Sequence, residues 1–205
     1  VEQPFSFTAD GGRRHGLLYD GGSPNAAVVA HPHPLFGGEM TSPVVEAVCG
    51  AFRQRGWTTL RFNFRGVGKS DGRFDDGPGE ARDLAAAVGA LSARGAESIA
   101  LAGYSFGAWV VERHLRGDDA SPLVSRVVMV APPVALLPFP PARPIAALDL
   151  IVTGEEDAYA PPAAVRDLCR RWNPSARLVV LDGVDHFYWG ALDRLKETVA
   201  RSLGG

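Results

Sequence analysis

Leu101-Ala102-Gly103-Tyr104-Ser105-Phe106-Gly107-Ala108 carries a G-x-S-x-G pattern at the point where one kind of local structure gives way to another. Residues 98–102 form a short apolar run of strand length, and residues 108–116 can present one apolar face at helical spacing. A sharp strand-to-helix turn forces its central residue into a strained backbone conformation. Glycines two before and two after remove the side chains that would otherwise collide there. The hydroxyl of Ser105 is then held clear of the sheet. The N–H of Phe106, at the start of the helix, can point at negative charge developing beside that hydroxyl. Ser105 is therefore a candidate nucleophile and Phe106 a candidate oxyanion donor.

Working outward, strands are expected at residues 2–9 and 13–19 around an Asp10-Gly11-Gly12 turn, then at 25–30, 57–62, 124–131, 149–153 and 177–181. After Asn25, the expected strand 25–30 is apolar to its end, as a strand buried on both faces should be. Helices are expected at 41–55, 80–93, 162–172 and 191–203, the first with Thr41 or Ser42 as cap, Pro43 in its first turn and Gly56 as its stop. After residue 131, Pro132, Pro133, Pro138, Pro140, Pro141 and Pro144 forbid a regular element. Strands alternating with helices predict an α/β fold: a mostly parallel central sheet with helices on both faces, right-handed crossovers and one domain spanning 1–205. Ligands of such sheets lie beyond the carboxyl ends of the strands. The polar residues gather there: His31 and His33, Arg65, Ser105, Gly154-Glu155-Glu156-Asp157 and Gly183-Val184-Asp185-His186.

Composition removes several classes of function. A formal net charge of −2 over 205 residues gives no basic surface for nucleic acid or anionic lipid. No apolar run reaches membrane-spanning length. The two cysteines, Cys49 and Cys169, form neither a disulfide framework nor a metal pair, which suits a reducing, cytoplasmic setting. One rival motif needs an answer. Gly68-Lys69-Ser70 ends a P-loop pattern, G-x-x-x-x-G-K-[ST], after an expected strand. The position of the first glycine is Asn63, however, and residues 71–79 are turn-rich and acidic, so no helix N-terminus follows to receive a phosphate.

A neutral serine is a weak nucleophile; it needs an imidazole to take its proton and a carboxylate to fix the imidazole's tautomer. Among five histidines, His15 falls in the first hairpin and His114 on the helix leaving Ser105, whereas His186 follows the last strand and is the candidate base. Asp157, Glu155, Glu156 and Asp185 compete for the acid. Asp185 is adjacent to His186 in sequence, where a side chain seldom curls back to hold the neighbouring ring; a loop-capping role suits it better. Asp157 lies beyond a different strand and is preferred. A second oxyanion donor should come from the loop after residues 25–30. Pro32 and Pro34 have no N–H, which leaves His33 or Leu35. Two closely spaced histidines without further ligands make a poor zinc site, so neither metal nor cofactor is expected. Leu35, Phe36 and Tyr159 are the candidate substrate-binding side chains.

His31-Pro32-His33-Pro34-Leu35-Phe36-Gly37-Gly38, Arg61-Phe62-Asn63-Phe64-Arg65-Gly66, Gly103-Tyr104-Ser105-Phe106-Gly107, Gly154-Glu155-Glu156-Asp157 and Asp185-His186-Phe187 carry a resemblance over essentially the whole chain. Together they resemble the α/β-hydrolase superfamily, and more narrowly its small lid-less serine hydrolases near the dienelactone-hydrolase and peptidase-like groups. The resemblance implies Ser105 as nucleophile, Asp157 as acid and His186 as base, and it favours His33 over Leu35 in the oxyanion hole. This chain departs from the family's frequent His-Gly at that loop by having His31-Pro32. The implied activity is cleavage of a small-molecule carboxylic ester, of small or short-chain acyl groups, through an acyl-enzyme in an open cleft. Thioester or amide cleavage and acyl transfer share its intermediates. A non-catalytic binding module on the same fold is the alternative from another class.

Overall fold

Asp10 (φ 49°) and Gly11 (φ 74°) both adopt left-handed backbone, which matches the twist of a two-residue hairpin turn. They join β1 (Gln3–Ala9) to β2 (Gly12–Tyr19) as an antiparallel pair. The computed structural model describes residues 1–117, 120–140 and 143–204; Pro141, one of the prolines read as breakers, lies outside them. The remaining strands are β3 (Asn25–Ala30), β4 (Thr58–Phe62), β5 (Ser98–Tyr104), β6 (Val124–Val130), β7 (Leu148–Gly154) and β8 (Arg177–Leu181). The sheet has eight strands in the order β1-β2-β4-β3-β5-β6-β7-β8, and every pairing from β4 onward is parallel.

From β3 the chain steps one way to β4 through α1 (Pro43–Arg53), then back past β3 to β5 through α2 (Pro78–Ser92). Right-handed crossovers taken in opposite directions put those two helices on opposite faces. Accordingly α1 packs with α5 (Leu192–Ser202), while α2 packs with α3 (Phe106–Arg116); α4 (Pro162–Trp172) lies against β7 and β8. Covered on both faces, the central strands β3 and β5 are buried along almost their whole length. Their carboxyl ends flank the point where the strand order reverses, the usual place for a ligand in such a sheet.

Three boundaries differ from expectation for identifiable reasons. β5 runs through Gly103 to Tyr104, and α3 begins at Phe106, so Ser105 alone makes the junction. α2 starts at Pro78 rather than at residue 80, because the buried Glu80 carboxylate reaches back to accept from the N–H groups of Gly77 (2.8 Å) and Asp75 (2.9 Å). α1 is shorter than 41–55, and Ser42 at its N-cap makes no side-chain capping bond. In the Gly68-Lys69-Ser70 segment the Ser70 hydroxyl ties the loop to the first hairpin, donating to the Asn63 carbonyl (2.7 Å) and accepting from the His15 N–H (3.0 Å). Between β6 and β7 the described residues form no helix or strand, so no cap domain covers the end of the sheet that carries Ser105.

The elbow depends on two missing side chains. A Cβ on Gly103 would come within 2.4 Å of the Gly107 backbone, and one on Gly107 within 2.3 Å of the Ala30 carbonyl oxygen. Gly89, exposed inside α2, has nothing within 4 Å of its would-be Cβ. Gly107→Ala should therefore cost roughly 3 kcal/mol or more in urea unfolding. Gly89→Ala should be neutral or stabilise by about 0.5–1 kcal/mol. Equal effects of the two substitutions would contradict this packing account.

Candidate active site

Ser105 adopts φ 54°, ψ −118°, a conformation held by its N–H donating to the Val130 carbonyl of the adjacent β6 (2.9 Å). Such strain at a single non-glycine residue persists only where its surroundings over-determine it. Its Oγ lies 2.9 Å from Nε2 of His186. His186 Nδ1 faces the Asp157 carboxylate, 2.8 Å from Oδ2 and 3.0 Å from Oδ1. A proton on Nδ1, shared with the carboxylate, leaves Nε2 as an acceptor toward the serine hydroxyl; that tautomer is assigned from the hydrogen-bond network. Asp157 is buried, and its Oδ1 also accepts from the N–H groups of Tyr159 (2.9 Å) and Ala160 (2.8 Å). A buried carboxylate with three N–H donors keeps its orientation and has compensation for lost water.

The competing acids are engaged elsewhere. Asp185 Oδ1 accepts from the N–H groups of Phe187 (2.9 Å) and Tyr188 (3.1 Å), the loop-capping role expected of it. Glu155 accepts from the Gly183 N–H (3.0 Å), and Glu156 is exposed. Arg65, which the sequence places at a strand end, turns away from Ser105. Its guanidinium pairs with the buried Asp83 (2.8 Å) and with Asp10 (2.8 Å).

Two residues that sequence reasoning missed hold the His186 loop. The Tyr104 hydroxyl donates to the His186 backbone carbonyl (2.9 Å), and its ring lies 5.6 Å from the imidazole. Burial, reinforced by the charges of Asp157 and Asp185, raises the Tyr104 pKa well above its ordinary value, so the hydroxyl keeps its proton to donate. Tyr188, buried at φ 59°, bonds the Val152 carbonyl (3.2 Å). Tyr104 had a signal, its place inside the G-x-S-x-G pattern; Tyr188 had none.

Across from the histidine, the choice between His33 and Leu35 has a local physical basis. The Leu35 N–H donates to His33 Nδ1 (3.2 Å), and the N–H groups of Phe36, Gly37 and Gly38 bond carbonyls of the same turn. The N–H groups of His33 and of Phe106, the first residue of α3, donate to no acceptor among the described residues. The loop that carries His33 is braced by His31, fully buried. Its Nδ1 lies 2.6 Å from the Pro32 carbonyl, and its Nε2 accepts from the Phe64 N–H (3.0 Å). Both ring nitrogens are occupied, which leaves none for a metal. The His33 ring sits between Phe36, Phe74 and Phe106, at centroid distances of 4.9, 4.9 and 4.8 Å.

Of the expected substrate-binding residues, Leu35 and Phe36 stand exposed on a single 3-10 turn at Pro34–Phe36, and Tyr159 lies edge-on to His186. The hollow of about 560 Å³ between the 34–39 and 65–74 loops is lined by none of Ser105, Asp157 and His186. Ser105 is half-buried at an uncapped surface.

Residues 27–150 match the model of the alpha/beta hydrolase family. An uncharacterized protein of Rickettsia prowazekii is 34% identical over 194 residues, covering 89% of this chain and 80% of the relative. An alpha-beta serine hydrolase homologue from Coxiella burnetii superposes with a TM-score of 0.90 at 33% identity, over 98% of this chain and 97% of the other. A serine hydrolase without lid from Xanthomonas campestris gives 0.87 at 30% identity, over 98% and 93%.

The brace makes a pH-dependent prediction. Burial pulls the His31 pKa down to about 4 from 6.5, against the opposing bond to the Pro32 carbonyl. Above pH 6.5 both folded and unfolded chains hold this ring neutral. Between 6.5 and 4 only the unfolded chain takes up the proton, so stability should fall by about 3 kcal/mol across that window from this group. Urea unfolding at pH 7.5 and 4.5 should show the loss. His31→Gln, which can donate and accept at the same two places without titrating, should flatten the slope; an unchanged slope would contradict the assignment.

Proposed function

The chain belongs to the alpha/beta hydrolase family, and on that premise we propose that it is a serine hydrolase, working as one domain, that cleaves small-molecule carboxylic esters through an acyl-enzyme. The observation that carries this reading is the unbroken line from Ser105 Oγ through His186 to the buried Asp157. Ser105 attacks the ester carbonyl as His186 Nε2 takes its proton, and Asp157 stabilises the resulting imidazolium. The carbonyl oxygen becomes an oxyanion facing the N–H groups of Phe106 and His33, two donors with no other acceptor among the described residues. Collapse breaks the C–O bond while His186 returns the proton to the departing alcohol oxygen. Water, deprotonated by the same nitrogen, then attacks the acyl-serine; the acyl–Oγ bond breaks, His186 returns the proton to Ser105 Oγ and the acid leaves.

The missing cap supports a preference for small or short-chain acyl groups. A long chain would find little wall beyond Leu35 and Phe36, both largely in water.

Turnover of p-nitrophenyl butyrate tests the roles. His186→Ala should lose on the order of 10⁴ in kcat, and Asp157→Asn about 10⁴ by holding the wrong tautomer. Asp185→Asn, whose amide oxygen can still accept from the same loop, should lose far less. A large loss in Asp185→Asn with none in Asp157→Asn would move the acid; full activity in His186→Ala would remove the base.

A further inference from the structure

Leaving Val1 aside, the large apolar side chains standing exposed among the described residues are Leu35, Phe36, Leu136, Tyr159, Phe187 and Trp189. All lie on segments that follow β3, β6, β7 or β8, at the end of the sheet that holds Ser105. Scattered exposed apolar residues need no explanation, but a set gathered around one site does. Two of them touch the imidazole: the rings of Tyr159 and Phe187 stand 4.9 and 5.7 Å from His186, at 86° and 87° to its plane. They are 39% and 53% exposed.

Neither ring is there by slack in its loop. Phe187 sits between His186, fixed by Asp157, and Tyr188, which is fully buried; the Asp185 carboxylate holds the N–H groups of both Phe187 and Tyr188. The Tyr159 N–H is held by Asp157 itself, and its carbonyl accepts from the Ala135 N–H (3.0 Å). The backbone that positions the acid and base therefore also presents two aromatic side chains, and a wall carried on fixed backbone lowers the ordering cost of binding.

Chemistry decides which part of a substrate meets that wall. With the carbonyl oxygen against Phe106 and His33, the oxygen that receives a proton from His186 is the leaving one. The alcohol portion must pass the imidazole, where Tyr159 and Phe187 stand, before the C–O bond breaks and a neutral alcohol departs with the acyl group left on Ser105. The geometry points to Tyr159 and Phe187 as the specificity determinants for the alcohol, selecting aryl and arylmethyl esters over esters of small aliphatic alcohols. This rests on the ester-hydrolase reading above. A flat ring in the leaving group has aromatic surface to lay against these side chains; a methyl group has almost none.

The test uses benzyl acetate and methyl acetate, which form the same acetyl-enzyme, so that kcat/KM differs only through acylation, while the alcohol is still attached. Wild type should favour the benzyl ester by about tenfold or more. Phe187→Ala and Tyr159→Ala should each lower that ratio severalfold, Phe187→Trp should preserve it, and thermal melting should show all three folded. A wild-type ratio near one, or a ratio that neither alanine variant lowers, overturns the inference. Turnover of p-nitrophenyl acetate by wild type and its loss in Ser105→Ala report separately on the underlying reading: failure there overturns both, whereas success there with a flat benzyl-to-methyl ratio overturns the alcohol wall alone.

Discussion

Everything at the site depends on how closely three stretches of main chain approach one another around Ser105. Helix α3 starts almost in contact with the end of β5 and with the Ala30 carbonyl at the end of β3, and only glycine at 103 and 107 leaves room for that approach. The Ser105 backbone is driven into the left-handed region as a result, at a cost that the buried β5 and α3 around it absorb. The same closeness brings the first N–H of α3 beside the loop after β3. Packing, strain and the two candidate oxyanion donors are one constraint seen from three sides.

A second economy lies in Asp157. Its carboxylate orients the imidazole and also ties down the Tyr159 and Ala160 N–H groups, so the acid organises the loop it sits on. On the histidine side, Tyr104 reaches from β5 to the His186 carbonyl and couples the elbow to the base through one hydrogen bond. Motion of either loop would have to break bonds that are buried. The buried bonds of the site thus hold the part that handles protons, while the turn carrying Leu35 and Phe36 is tied mainly within itself and stands exposed.

Much of this was legible in the sequence because burial leaves a periodic signature. The runs 26–30 and 99–102, apolar once past Asn25 and Ser98, announce strands covered on both faces, and the alternation of strands with helices puts Ser105, Asp157 and His186 beyond strand ends. Boundaries were read less well where a residue type has two uses. Pro78-Gly79 reads as a turn, yet Pro78 opens α2 because Glu80 satisfies the N–H groups before it. Contacts between residues far apart in the chain leave no local trace, so neither the bond from Tyr104 to the His186 carbonyl nor that from Tyr188 to the Val152 carbonyl can be read locally, although Tyr104 stands inside the G-x-S-x-G pattern. The choice of His33 over Leu35 turns on where the His33 ring points, and Phe187 cannot be told from a core aromatic without knowing that Tyr188 takes the buried place.

The central claim is that the strained residue at the elbow is the covalent nucleophile. Peptide mapping by mass spectrometry after reaction with a fluorophosphonate measures it directly. The account predicts a single stoichiometric adduct on Ser105, formed far more slowly once His186 is replaced by alanine. An adduct on another serine, or labelling of Ser105 at the same rate without His186, would contradict it.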